Sequence, residues 1–185
     1  VSAAGAVFQS SLRNPLADPL LLGVAGGAAV GAALILTLGI ASTLVMQLGA
    51  LAGALITMVF VLLVATRARR ADPTTLLLAG VVASAFHSAT LMMLLALSPS
   101  GGADKLVQWT LGDFGGAQGK ELIFVVLATL VLVPLASLFG RTLNLLSLGD
   151  ESALASGVDV SKARASFYTL GAALTAVSVA AAGIV

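Results

Sequence analysis

The sequence has no cysteine, which excludes disulfide frameworks, thiolate metal sites and thiol nucleophiles by count. Its single histidine, without cysteine, leaves no credible zinc site. Charge is scarce as well: 9 % of the residues are Asp, Glu, Lys or Arg, against about 25 % in ordinary soluble domains. Nine basic and eight acidic residues give a formal net charge of +1, too little to form a basic face that releases counterions from phosphates. No nucleic-acid partner is expected. Neither G-x-S-x-G nor H-E-x-x-H occurs, so hydrolysis by a serine nucleophile or a metal has no anchor. The run Gly115-Gly116-Ala117-Gln118-Gly119-Lys120-Glu121 is close to a P-loop, but Phe114 stands where the first glycine belongs and Glu121 where Ser or Thr should bind magnesium. The chain is therefore not expected to hydrolyse ATP, and no catalytic residue, metal ligand or cofactor is assigned.

What is present is apolar. Hydrophobic residues make up 59 % of 185, against about 45–50 % in soluble domains, and the mean hydropathy is +1.10. A chain this apolar and this nearly neutral is neither a water-soluble globule nor a solvated disordered segment. It opens at Val1 without the basic start and cleavage site of a signal peptide, and it stops within the apolar run Ala180–Val185. Both ends read as cuts inside helices of a longer membrane protein.

Hydropathy and charge place the spans. No charge occurs between Asp18 and Arg67, a stretch too long for one helical crossing of a ~30 Å hydrocarbon core at ~1.5 Å per residue. It must turn once, and Gly39 and Ser42 put the turn at Leu38–Thr43, between spans near Leu20–Leu38 and Leu44–Thr66. Gln47 then falls near an interface. A third span runs near Leu76–Leu97 to the breakers Ser98-Pro99-Ser100-Gly101-Gly102, a fourth over Leu122–Phe139 with Pro134 inside it, and a last one starts near Phe167. With the opening segment this makes six full or partial crossings, an all-α polytopic transmembrane bundle in a single domain over residues 1–185.

Loop charge sets the orientation. Alternating assignment puts Arg13, Arg67, Arg69, Arg70, Arg141, Lys162 and Arg164 on one side and only Lys105 and Lys120 on the other. Seven against two makes the first side cytoplasmic. The outer side then carries Ser98–Glu121, in which Lys105–Leu111 can form a short helix.

Small residues recur at four-residue spacing: Gly23, Gly27 and Gly31 on the first full span, Gly49 and Gly53 on the second, Gly80, Ser84 and Ser88 on the third. Such faces let backbones approach, and generic helix packing explains them. The third span is the most polar. Gly80, Ser84, His87 and Ser88 share one helical face, and an ionisable group at membrane depth is a candidate for a transport path. The plainer alternative is a neutral His87 bonded to a backbone carbonyl or a neighbouring helix.

Two inner segments stand out. The loop Arg13-Asn14-Pro15-Leu16-Ala17-Asp18-Pro19 has two prolines flanking an acid and reads as a stiff turn ordered by Asn14 and Asp18. Residues 140–165 are long for a connector and read as short helices. Ser147 is placed to cap one of them with Asp150 three residues on, Gly157 to stop it, and Ser161 to cap the following span. The face formed by Leu148, Ala153 and Leu154 with Asp150 and Glu151 suits docking on a protein or lying at the membrane surface.

Taken together, several stretches resemble the iron-chelate and cobalamin ABC-importer permease family. They are S-A-A-G-A-V-F-Q-S-S-L-R-N-P-L-A-D-P-L-L-L-G-V-A-G-G-A from Ser2, L-L-L-A-G-V-V-A-S-A-F-H-S over Leu76–Ser88, Q-W-T-L-G-D-F-G-G from Gln108, and R-T-L-N-L-L-S-L-G-D-E-S-A-L-A-S-G-V-D-V over Arg141–Val160. The resemblance implies a multi-pass permease of the bacterial inner membrane, working as a homo- or heterodimer with a path at the subunit interface. It implies ABC ATPase subunits inside and a periplasmic or lipid-anchored substrate-binding protein outside. By similarity, Leu148, Gly149, Asp150, Glu151, Ala153 and Gly157 fall in the ATPase-coupling helices within residues 140–165, and Gly80, Ser84, His87 and Ser88 on the path-lining helix. Arg13, Asn14, Pro15, Asp18 and Pro19 belong to a family loop motif. Against that family the chain has about half of a permease. From the residues alone, a stand-alone secondary transporter with His87 as its proton site and a non-transporting membrane scaffold both stay open.

Overall fold

The structure, a computed structural model, describes residues 1–19, 22–40, 42–67, 73–97, 104, 107–108, 111–112 and 120–182. The fold is carried by helices α1 (Ser2–Leu12), α2 (Val24–Thr37), α3 (Thr43–Arg67), α4 (Pro73–Leu97), α5 (Lys120–Leu138), α6 (Gly140–Leu148), α7 (Asp150–Ala155) and α8 (Val160–Ala182). The run Lys105–Leu111 and the P-loop-like stretch from Gly115 to Gly119 fall largely or wholly outside the described residues, as do Arg69 and Arg70.

Helices α3 and α4 are long and apolar enough to cross a membrane, and α5 with α6 forms a bent pair, turned by 54° at Phe139. Helix α2 is shorter than the expected span: its 14 residues cover ~21 Å at ~1.5 Å each. It starts late because Gly23 sits in the left-handed region at φ 72°. It stops where the turn was expected. The Gly39 amide donates to the Leu36 carbonyl and the Ile40 amide to the Ile35 carbonyl, with Gly39 at φ 73°, a Schellman stop that glycine adopts without steric cost.

The central core is made of small residues. Ala28, Ala32, Ala50 and Ala54 are fully buried between α2 and α3, where a Cβ on Gly27 would meet the Gly53 carbonyl and one on Gly31 the Gly49 carbonyl. Apolar side chains gain little by leaving lipid, so helix association rests on contact, and small residues maximise it. Gly27, Gly31, Gly49 and Gly53 of the four-residue series therefore form the α2–α3 contact. Helix α8 packs on α1, α2, α3 and α5; Phe8 of α1 stacks on Tyr168 at 6.4 Å and fills the space over Gly171, where a Cβ would come within 2.7 Å of its ring. Large apolar side chains such as Ile56, Val82, Phe86 and Met92 stay exposed on α3 and α4, as expected where the surrounding medium is lipid.

Two expected caps are corrected. Ser147 lies inside α6, where its hydroxyl donates to the Asn144 carbonyl at 2.7 Å, and the residue preceding α7 is Gly149, which has no side chain to cap with. Helix α8 begins seven residues before Phe167, and its cap is Asp159 rather than Ser161: the Lys162 amide donates to Asp159 Oδ1 at 3.1 Å. Hydropathy does not register this first turn because Ser161, Lys162 and Arg164 are polar. Gln47, put near an interface by the span boundaries, lies in the second turn of α3 with its side chain buried against the bundle.

Candidate functional site

One candidate region lies at the corner where α1, α6, α7 and α8 converge. Val7, Leu146, Ala153 and Phe167 form a buried apolar cluster there, and it seats α7 by its Ala153 side. Gly149 separates α6 from α7 at φ 121°, ψ 157°, a conformation essentially reserved to glycine. This joint turns the chain sharply enough to present Asp150 to two arginines. Asp150 Oδ1 accepts from Arg164 Nη2 at 2.7 Å and lies 3.2 Å from Arg13 Nη2. The Arg164 side chain is 7 % exposed, that of Asp150 37 %. A nearly buried guanidinium needs a charged acceptor, and Asp150 supplies it.

The far end of α7 is closed by the glycine the sequence pointed to. The Gly157 amide donates to the Leu154 carbonyl and the Val158 amide to the Ala153 carbonyl, again a Schellman pair. Leu148, Glu151 and Leu154 are exposed, Ala153 is fully buried. The six coupling candidates thus divide: Leu148 and Glu151 face outward, Ala153 anchors, Asp150 ties the helix down, and Gly149 and Gly157 shape its ends.

The Arg13–Pro19 loop joins the same corner, a connection the sequence did not reveal. Asn14 orders it as expected, accepting the Leu16 amide on Oδ1 at 2.9 Å while its carbonyl accepts the Ala17 amide at 3.0 Å. Pro15 supplies the fixed φ of such a turn. Pro19 is buried and Asp18 exposed. Arg13 and Arg164, both assigned to the inner side from loop charge, meet at one carboxylate, so the loop and residues 140–165 lie at the same end of the bundle.

The second candidate region is on α4. Gly80 is buried against Gly23, whose added Cβ would lie 3.1 Å from the Gly80 carbonyl oxygen. Ser84 and His87 are half-buried and Ser88 is exposed, its hydroxyl donating to the Ser84 carbonyl at 3.0 Å. His87 Nε2 lies 3.2 Å from Thr57 Oγ1 on α3. The Thr57 hydroxyl also donates to the Gly53 carbonyl at 2.9 Å, so Thr57 links His87 on α4 to the backbone of α3. Gly26 makes the room: a Cβ there would come within 3.1 Å of His87 Cβ. Thr57 and Gly26 were missed in the sequence because they lie on other helices and outside the four-residue glycine series. A groove of about 380 Å³ runs beside this pair, and apart from Thr57 and His87 its lining, Ile56, Phe60, Val82, Ala83 and Phe86, is apolar.

Residues 1–185 match the FecCD transport family throughout. The chain belongs to that family. It is 38 % identical over 189 aligned positions to the vitamin B12 import system permease protein BtuC of Serratia proteamaculans (strain 568), covering 100 % of this chain and 55 % of BtuC. It is 33 % identical over 192 positions to the hemin transport system permease protein HmuU of Yersinia pestis, covering 100 % of this chain and 57 % of HmuU. Among solved structures, an inward-facing metal-chelate type ABC transporter superposes with a TM-score of 0.88 at 28 % identity, over 98 % of this chain and 58 % of that one. This FecCD chain therefore spans about half the length of the relatives it matches, and its all-helical fold is that of an ABC-importer permease. The family is one of transport permeases, and its members are integral membrane proteins.

Proposed function

We propose that this chain acts as the transmembrane permease subunit of an ATP-binding-cassette importer, taking up an iron chelate such as a ferric siderophore or haem, or cobalamin, across the bacterial inner membrane. Separate ATPase subunits on the cytoplasmic side drive it. A second permease subunit completes the path, and a periplasmic or lipid-anchored binding protein delivers the substrate. The observation that carries this reading is α7: a short helix with its Ala153 side anchored in an apolar cluster, tied by Asp150 and closed at Gly157, with Leu148, Glu151 and Leu154 turned outward. A helix held this firmly passes on a push that a loose linker would absorb. Gly80, Ser84, His87 and Ser88 belong to the path-lining helix in this reading.

The test is co-purification. The tagged protein, extracted gently from its native membrane, brings an ABC ATPase with it, and Leu148→Arg combined with Glu151→Arg loses that ATPase. Both positions are exposed, so the fold is not challenged. A parent protein that purifies without any ATPase would sink the reading in favour of a secondary transporter or a scaffold.

A further inference from the structure

Arg13 is the one non-glycine residue at positive φ among the described residues, at φ 51° and ψ 37°. It occupies the left-handed stop of α1, where the Asn14 amide donates to the Gln9 carbonyl at 3.2 Å. Glycine is the usual occupant of such a stop, and another residue there costs about 1 kcal/mol. The return in stability is small. The Arg13–Asp150 pair is 38 % and 37 % exposed on its two sides, and pairs of that kind contribute about 0–1 kcal/mol. Glycine would thus serve α1 about as well, and stability gives no reason for an arginine.

Its geometry does. The guanidinium lies over the joint between α6 and α7, with Nη1 3.6 Å from where a Gly149 Cβ would be, and it shares Asp150 Oδ1 with Arg164. One carboxylate oxygen thereby joins the end of α1, the start of α7 and the first turn of α8. We propose that Arg13 is a positioning residue that makes α1 and its Asn14–Ala17 turn move as one body with α7, so that displacement of α7 reaches the bundle through α1 as well as through α8. This rests on the permease reading, in which α7 is the element the ATPase displaces.

The test uses the assembled importer. Leu16→Cys and Ala155→Cys, both at exposed positions in a stretch without cysteine, take the spin labels, and the same complex without these two substitutions gives the background from any other thiols. The labelled distance in the parent complex stays the same when ATP is added. With Arg13→Gly, which eases the α1 stop, ATPase recovery is unchanged while ATP shifts or broadens that distance by about 2 Å or more; Arg13→Lys restores the narrow distribution. The inference is overturned if Arg13→Gly leaves the distance unaffected by ATP, if the parent distance already changes, or if Arg13→Gly loses the ATPase, which would assign Arg13 to assembly. A parent complex without an ATPase removes the permease reading and this inference with it, whereas an ATPase-bearing parent indistinguishable from Arg13→Gly removes this inference alone.

Discussion

Gly27 and Gly53 face each other across α2 and α3 so closely that a Cβ on either would run into the other's carbonyl oxygen. The obstacle is backbone, which does not rotate away as a side chain would. Gly53→Ala therefore lowers stability by about 1–3 kcal/mol through overpacking. Gly5→Ala on α1, where nothing lies within 4 Å, raises it by roughly 0.5–1 kcal/mol through helix propensity. Thermal unfolding in detergent separates the two; equal effects would contradict the α2–α3 crossing.

Gly149 constrains by conformation rather than space, since only the Arg13 guanidinium approaches a Cβ placed there. Gly149→Ala costs about 1–3 kcal/mol because φ 121°, ψ 157° is strained for any other residue. Limited proteolysis within residues 146–158 should accelerate in this variant, and an unchanged cleavage rate would refute the strained joint.

Removing the Asp150 charge takes from Arg164 its charged hydrogen-bond partner. Asp150→Asn is expected to destabilise by about 1.5–3 kcal/mol, the range for a hydrogen bond to a charged group, below a fully buried pair because the carboxylate is 37 % exposed. Arg13→Ala at the exposed partner costs far less. The order of the two variants in a chemical denaturation series is the measurement, and a larger loss for Arg13→Ala would reverse the assignment.

Thr57 holds His87 by a hydrogen bond at Nε2. Thr57→Val keeps the shape and removes the hydroxyl, taking this hydrogen-bond partner from the half-buried His87 Nε2 at a cost of about 1–3 kcal/mol. Under the permease reading, His87→Ala lowers uptake in the assembled importer while the complex still forms. Unchanged uptake would take His87 off the path.

Asp159 ties α8 to pH. The backbone amide of Lys162 first, and its ammonium next, favour the carboxylate and hold Asp159 below the ordinary aspartate value of about 3.9. The folded value being the lower one, the capped state is favoured above the unfolded value and that preference is lost as pH falls through the folded one. Protection of the Lys162 amide from hydrogen exchange should be level at neutral pH and fall only in acid. Asp159→Asn should flatten the acid limb; a limb that persists would place the titration elsewhere.

The sequence by itself determined the medium, the helices and most of their ends. Apolar runs longer than a bilayer needs must turn, and Gly39 and Gly157 marked stops that the backbone then used, because left-handed closure favours glycine whatever surrounds it. Glycines at four-residue spacing predicted close helix contact because that spacing is a property of one helix alone. The capping of α8 was misplaced from Asp159 to Ser161, since both residue types can cap and only the backbone path chooses. Tertiary structure decided which residues act together. Arg13 and Asp150 are far apart in the chain, and so are Thr57 and His87; no local pattern links them, because such contacts arise only when helices cross at particular heights and angles. The Arg13 loop and residues 140–165 were two motifs in the sequence. Packing of α1 against α6 and α8 brings them to one corner of the fold.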